Sequence, residues 1–145
     1  MQSYTTPESI IRIERMNQHF TKYHLGGGRV LHHFTAANDT LFHDHPWPFR
    51  STILSGGYVE IVAQPTDDGR FTLTTVQRLP GTTHDVQAGT IHKLTKLLKQ
   101  DCWTMIEPGK PERMSGFYKA DEDGIWHRFW NQRKWTLIVP VPKPA

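Results

Sequence analysis

Three histidines carry the chemistry that can be read from this chain. His43 and His45 stand one residue apart in LFHDHPWPFRSTILSGGYVE (41–60), and His92 lies in GTTHDVQAGTIHKL (81–94). A neutral imidazole offers a lone pair near neutral pH, which makes histidine the commonest metal ligand in proteins. On an extended strand, side chains two apart project to one face, so His43 and His45 suit adjacent positions on a single ion. Such a pair also occurs at ordinary sheet edges. His92 gives it weight, because a strand, a tight turn at Gly89 and a returning strand would bring a third imidazole to complete a facial triad.

Two further residues belong to this reading as candidate catalytic groups, Arg50 and His84. A guanidinium is always charged and has no lone pair to give, so Arg50 is not a fourth ligand. It either points toward the open metal positions and grips a substrate carboxylate or phosphate, or turns outward and pairs with an acid at the rim. His84 precedes His92 by eight residues across an Ala-Gly turn and could face the same cavity as an acid–base group. Of the adjacent His32 and His33, at most one can look inward; His33 is a candidate for the pocket, though a place outside it is the favoured reading. Trp47, between Pro46 and Pro48, is read as a packing aromatic in preference to a substrate wall, and Cys102 as a buried core thiol.

These residues must be positioned by strands. The chain has no long amphipathic segment of helical period; its apolar runs alternate with period two and are rich in Val, Ile, Thr, Phe and Trp. Expected strands cover residues 10–16, 19–25, 29–36, 51–64, 71–79, 83–87, 90–97, 102–108, 114–120, 125–131 and 135–141. Turn signals separate them at Gly26–Gly28, Ala37–Asp39, Thr66–Gly69, Pro80–Gly81, Ala88–Gly89, Glu107–Glu112 and Asp121–Gly124. About ten strands at such spacing indicate an all-β sandwich or barrel. The 145 residues suit a single domain, 1–145, with 142–145 as a loose tail.

Composition narrows the setting. A single cysteine, no apolar run of signal-peptide type and no long apolar stretch point to a soluble cytoplasmic protein that does not engage a membrane. The net charge of +3 comes from 17 Lys/Arg against 14 Asp/Glu without a basic block. That pattern argues against nucleic acid and is compatible with small anionic metabolites. The aromatics Trp126, Phe129, Trp130 and Trp135 would cover the barrel or form the face of a homodimer.

The two histidine segments resemble the motifs of the cupins, small jelly-roll barrels of the double-stranded β-helix type. The family's first motif reads G-x5-H-x-H-x3,4-E-x6-G, and its second reads G-x5-P-x-G-x2-H-x3-N. His43, His45 and Gly57 match the first motif over about 37–57; Gly81, Gly89 and His92 match the second over about 81–96. Departures are Ala37 for the opening glycine, Phe49 or Arg50 for the glutamate, Gln87 for the proline and Lys96 for the asparagine. More narrowly, the HDHPW segment with CWTMIEPG, GFY and GIWHRFW resembles small uncharacterised cupins of bacterial and phage genomes.

The resemblance implies a metal held by His43, His45 and His92. Without the glutamate, the three-histidine arrangement is similar to that of the thiol dioxygenases and the diketone-cleaving dioxygenase. It therefore implies a divalent ion, Fe(II) first, with Mn, Ni or Zn as alternatives, and a dioxygenase acting on a small anionic substrate. Two other readings stay open: a metal-free sugar-nucleotide isomerase or epimerase using a histidine base, and a non-catalytic cupin that captures a small molecule. The scaffold hosts many chemistries, so fold alone does not choose among them.

Overall fold

Alternating segments of this kind can bury one face only by pairing, and the computed structural model, which describes residues 9–37 and 39–144, shows how they do so. In chain order the strands are β1 (Ile10–Asn17), β2 (Phe20–Leu25), β3 (Val30–Phe34), β4 (Phe42–His43), β5 (Phe49–Ser55), β6 (Tyr58–Pro65) and β7 (Phe71–Arg78). They continue as β8 (Thr83–Val86), β9 (Ile91–Leu97), β10 (Cys102–Pro108), β11 (Gly116–Asp121), β12 (Gly124–Phe129) and β13 (Thr136–Pro140). No helix occurs among the described residues, so none is long and apolar enough to cross a membrane.

The strands form two antiparallel sheets. One has the order β1-β2-β3-β10-β5-β8 and the other β13-β12-β11-β4-β9-β6-β7. The chain changes sheet between β5 and β6, and the change is made by Gly56 and Gly57 at φ 81° and 91°. Both angles lie in the left-handed region that glycine alone enters without strain. The run 51–64, expected as a single strand, is therefore two strands in different sheets. The β-branched residues on both sides of the glycines hide the corner from a propensity reading.

Register partners in an antiparallel ladder share a face, and this fixes what lines the space between the sheets. On the six-stranded sheet, Val30, His32 and Phe34 stand opposite Ile106, Thr104 and Cys102, and Ser51 and Ile53 stand opposite Ile106 and Thr104 on the other side of β10. On the seven-stranded sheet, His92 stands opposite both His43 and Val62. Ile53 and Cys102 of the first sheet pack with Tyr58 and Leu94 of the second, joining the two faces in one core. Full burial of a side chain such as Ile53 contributes about 1.5–3 kcal/mol.

A second cluster, Ala63, Ile91, Tyr118 and Ile125 with Phe42 and Phe71 against it, holds the reverse face of the seven-stranded sheet. β4 and β9 therefore have an apolar layer behind them and the histidines in front.

Thirteen strands replace the eleven expected stretches, because 51–64 divides and the two-residue β4 adds one. Of the expected turn Ala37–Asp39, Asn38 lies outside the described residues. Asp39 is tied to β9 by its carboxylate, which accepts the Leu94 N–H at 2.9 Å. Residues 142–144 of the expected tail have no regular structure, and Ala145 lies outside the described residues.

Candidate metal centre

The β4–β9 ladder sets His43 directly opposite His92. Their rings are 4.8 Å apart, centre to centre. His45 lies just past the end of β4, yet its ring is also 4.8 Å from that of His92. Three imidazoles thus converge from two stretches separated by nearly fifty residues, and one donor nitrogen from each lies within 4.8 Å of the others.

His45 is held in place by its neighbours. Its N–H donates to the Ala88 carbonyl at 3.0 Å, and the Asp44 N–H donates to Gly116 at 3.2 Å. Pro46 and Pro48 bring no N–H to a ladder. Their carbonyls accept instead, Pro46 from Glu112 and Pro48 from Gly109, each at 2.7 Å.

Asp44, the residue between the two histidines, faces the opposite way and is buried. Its carboxylate accepts the Gly116 N–H at 2.8 Å and the Tyr118 hydroxyl at 2.7 Å, and sits 2.9 Å from an Arg113 guanidinium nitrogen. Burial, with the adjacent Asp44, pushes the Tyr118 hydroxyl well up, so it stays a donor. The segment HDH is thereby pinned from behind while both rings project forward.

Behind His92 stands a carboxylate not singled out by the motifs. Glu60, 2% exposed, approaches His92 Nδ1 at 3.4 Å and pairs through its other oxygen with Arg78 Nε at 3.2 Å. Burial works against its charge, but the hydrogen bonds and charges of His92 and Arg78 outweigh that and hold it down at about 2. A carboxylate on Nδ1 fixes the tautomer of the ring and leaves Nε2 bare for an ion. The signal was in YVEIVA: period two puts Glu60 on the buried face with Tyr58.

These residues fit an ion. The Nε2 atoms of His92 and His45 are 3.3 Å apart, and donors about 2.1 Å from a common ion stand about 3.0–3.4 Å from one another. Burial, then the neighbouring imidazoles, pushes His45 down to about 2, and burial likewise lowers His43. Both rings are therefore neutral at physiological pH, the form that ligates. His45 Nδ1 is buried without a hydrogen-bond partner, which leaves Nε2 as the ring's one engaged nitrogen.

The remaining candidates separate clearly. Arg50 is not brought to the histidines: it lies opposite Asp85 on β8, pairs with it at 3.0 Å, and its side chain is 57% exposed. Its strand neighbours Phe49 and Ser51 take the inward positions, and the Phe49 ring meets His45 edge-on at 4.9 Å. His84 does share the inward face, opposite Ser51, with its Nδ1 buried and unpartnered. Burial, then the charge of Arg78, lowers it.

His32, not His33, looks inward. His33 lies flat on Trp103 at 4.1 Å and pairs with Asp101 at 3.0 Å on the other side of the sheet. His32 packs against Phe20 and Phe34, and burial, then Lys22 and His24, pushes it down to about 3. Lys22, opposite His32 on β2, shares its face. The charges of His32 and Lys22 are both felt at His45. Cys102 is a fully buried core thiol, as expected. Trp126 donates to Asp121 at 2.9 Å, while Trp130 is 62% exposed.

No protein-family model matches the chain, and no curated protein is significantly similar to it. Solved structures do match in shape. The hydroxypropylphosphonic acid epoxidase of S. wedmorenis superimposes with a TM-score of 0.52 at 10% identity, over 72% of this chain and 58% of that one. This chain thus spans little more than half of the epoxidase's length. The cupin domain of Drosophila melanogaster CENP-C matches with a TM-score of 0.53 at 8% identity, over 74% of this chain and 84% of the domain. Two curled antiparallel sheets enclosing a histidine cluster, in the shape of a known cupin domain, make this chain a protein of the cupin fold.

Proposed function

We propose that the protein is a mononuclear metal-dependent enzyme of the non-haem Fe(II) dioxygenase type acting on a small anionic substrate. The observation that carries this reading is the convergence of His43, His45 and His92, with a donor nitrogen of each inside 4.8 Å. Three imidazoles suit Fe, Zn, Ni or Cu. Fe(II) is put first because the three-histidine set resembles that of the cupin dioxygenases. Held by His43, His45 and His92, the ion would supply Lewis acidity and a redox centre.

The chain's own residues then have distinct tasks. Glu60 holds His92 in the tautomer that presents Nε2. Phe49 covers one side of His45 and keeps water from it. Lys22, half-buried between His32 on β3 and Glu14 on β1, takes over the anion-seeking task that the sequence left open for Arg50. His84, neutral and inward-facing, is the group available to hold or release a proton at Nδ1. A fold neighbour named for a phosphonic acid is in keeping with a small anion on this scaffold. One unpaired, buried cysteine suits a reducing cytoplasm.

Metal analysis joined to oxygen uptake tests the reading. Protein purified without chelator should hold one ion per chain, lost in His43→Ala, His45→Ala and His92→Ala, and the Fe(II) form should consume O2 with small carboxylates or phosphonates. Absence of histidine-dependent ion binding would sink the metal reading and leave the metal-free isomerase. A bound ion with no oxygen chemistry would reduce the protein to a metal-dependent binder.

A further inference from the structure

The first strand presents an apolar edge that nothing among the described residues covers. β1 ends the six-stranded sheet, so among the described residues one side of its backbone meets no neighbouring strand. Ile10, Ile11, Ile13 and Met16 are 53%, 70%, 61% and 46% exposed, four of the eleven large hydrophobics exposed among the described residues. An exposed edge with apolar side chains invites another strand.

Natural edges are blunted by charges and bulges, and β1 has both. Register irregularities flank it, between Ile10 and Arg12 and between Arg15 and Asn17, leaving Arg12–Arg15 as the regular stretch. The charges there are Arg12, Glu14 and Arg15, and their order decides whether they repel or attract a copy of the same strand.

Consider two copies of β1 pairing antiparallel about a two-fold axis normal to the sheet. Partners must share a face, so the axis passes through a residue. Centred on Arg12, the pairing sets arginine against arginine; centred on Glu14, glutamate against glutamate. Centred on Ile13, it sets Arg12 against Glu14 twice and Ile13 against Ile13. Opposite charges directly across a ladder attract, and like charges repel. Only the Ile13 register joins complementary charges around an apolar centre, so the strand is self-complementary in one register. The Arg12 and Glu14 side chains are 61% and 37% exposed, and both already meet His24 Nε2 on β2, at 3.0 and 2.9 Å, so a partner strand's charges would extend an existing Arg12–His24–Glu14 cluster.

We propose that β1 is the interface of a homodimer in which the two six-stranded sheets join edge to edge, with Ile13 on the two-fold axis. β2 lies between this edge and β3, so the junction would also stiffen the wall that carries Lys22 and His32.

Sedimentation velocity and light scattering on the full chain test this, with circular dichroism to verify folding. The wild type should be a dimer at micromolar concentration. Arg12→Glu and Glu14→Arg should each raise the dissociation constant at least about tenfold, the double charge swap should restore it to within a few-fold, and Ile13→Lys should give monomer. A wild type that stays monomeric, a dimer indifferent to all four variants, or a double swap no tighter than the single swaps would each overturn the proposal.

Discussion

Glu60 is a charged group that water scarcely reaches, held by Arg78 on one oxygen and His92 on the other. A buried carboxylate is tolerated only with such partners. We expect Glu60→Gln to keep a hydrogen bond to His92 Nδ1 but lose the charge that makes the ring a strong donor, weakening Fe(II) or Co(II) binding by about 10–100-fold. Calorimetric titration checks this; an unchanged affinity would make Glu60 a partner of Arg78 alone. Lys22 offers a second residue-scale prediction. Lys22→Met keeps the aliphatic stem and removes the charge, so binding of malonate or phosphate to the Co(II)-loaded protein, read from the visible absorption of the ion, should weaken about tenfold or more. Arg50→Met, on the outer face, should leave it within about twofold. The contrast shows what was legible. Spacing sufficed for His43, His45 and His92, because chemistry and period two act along the chain. The face of Arg50 was not legible, since the two prolines before β5 interrupt the alternation from which a face is counted. Lys22 and His32 come to share the inward face only through pairing across β2, β3 and β10, which no local pattern states.

Among elements, the short β4 and the loop after it do the most for the site. β4 is two residues long, so its ladder alone could not orient two histidines. Asp44 supplies the missing constraint by tying the loop to β11 at Gly116 and Tyr118. Asp44→Ala would strand these buried donors, and we expect a loss of about 3 kcal/mol in denaturant unfolding. We also expect metal affinity to fall, because His45 loses its anchor. The corner between β5 and β6 makes a separate prediction. A Cβ on Gly56 would run into the Asp101 carbonyl oxygen and force a left-handed backbone on a residue that resists it. Gly56→Ala should cost about 2 kcal/mol or more; wild-type stability would mean that the corner opens without loss. The sequence carried Gly57 as a motif position but not the corner itself. The β-branched runs on either side of the glycines match a continuous strand as well as two, and only the burial of Ile53 against Tyr58 separates them into facing sheets.

For the molecule as a whole, the centre lies between the two sheets, so an ion would add a link to the apolar packing and the few hydrogen bonds that already join these elements. His43 and His92 belong to adjacent strands of one sheet, whereas His45 sits in the loop that leads into β5 of the other. A ligand that binds the folded state alone stabilises it by RT ln(1 + [L]/Kd), about 2.7 kcal/mol at a hundred times Kd. For a chain of this size that is a rise in Tm of roughly 5–15 °C. The apoprotein should therefore melt lower than the Fe(II) or Co(II) form by about that margin, and chelator should reverse the difference. His92→Ala should melt at one temperature with or without metal. This comparison separates two roles that the geometry alone would allow the histidines. If they were merely a satisfied polar cluster within the core, His92→Ala would lower Tm and added metal would raise neither protein. If they form a metal centre, the metal-dependent increment disappears with the ring, whatever the apoprotein loses.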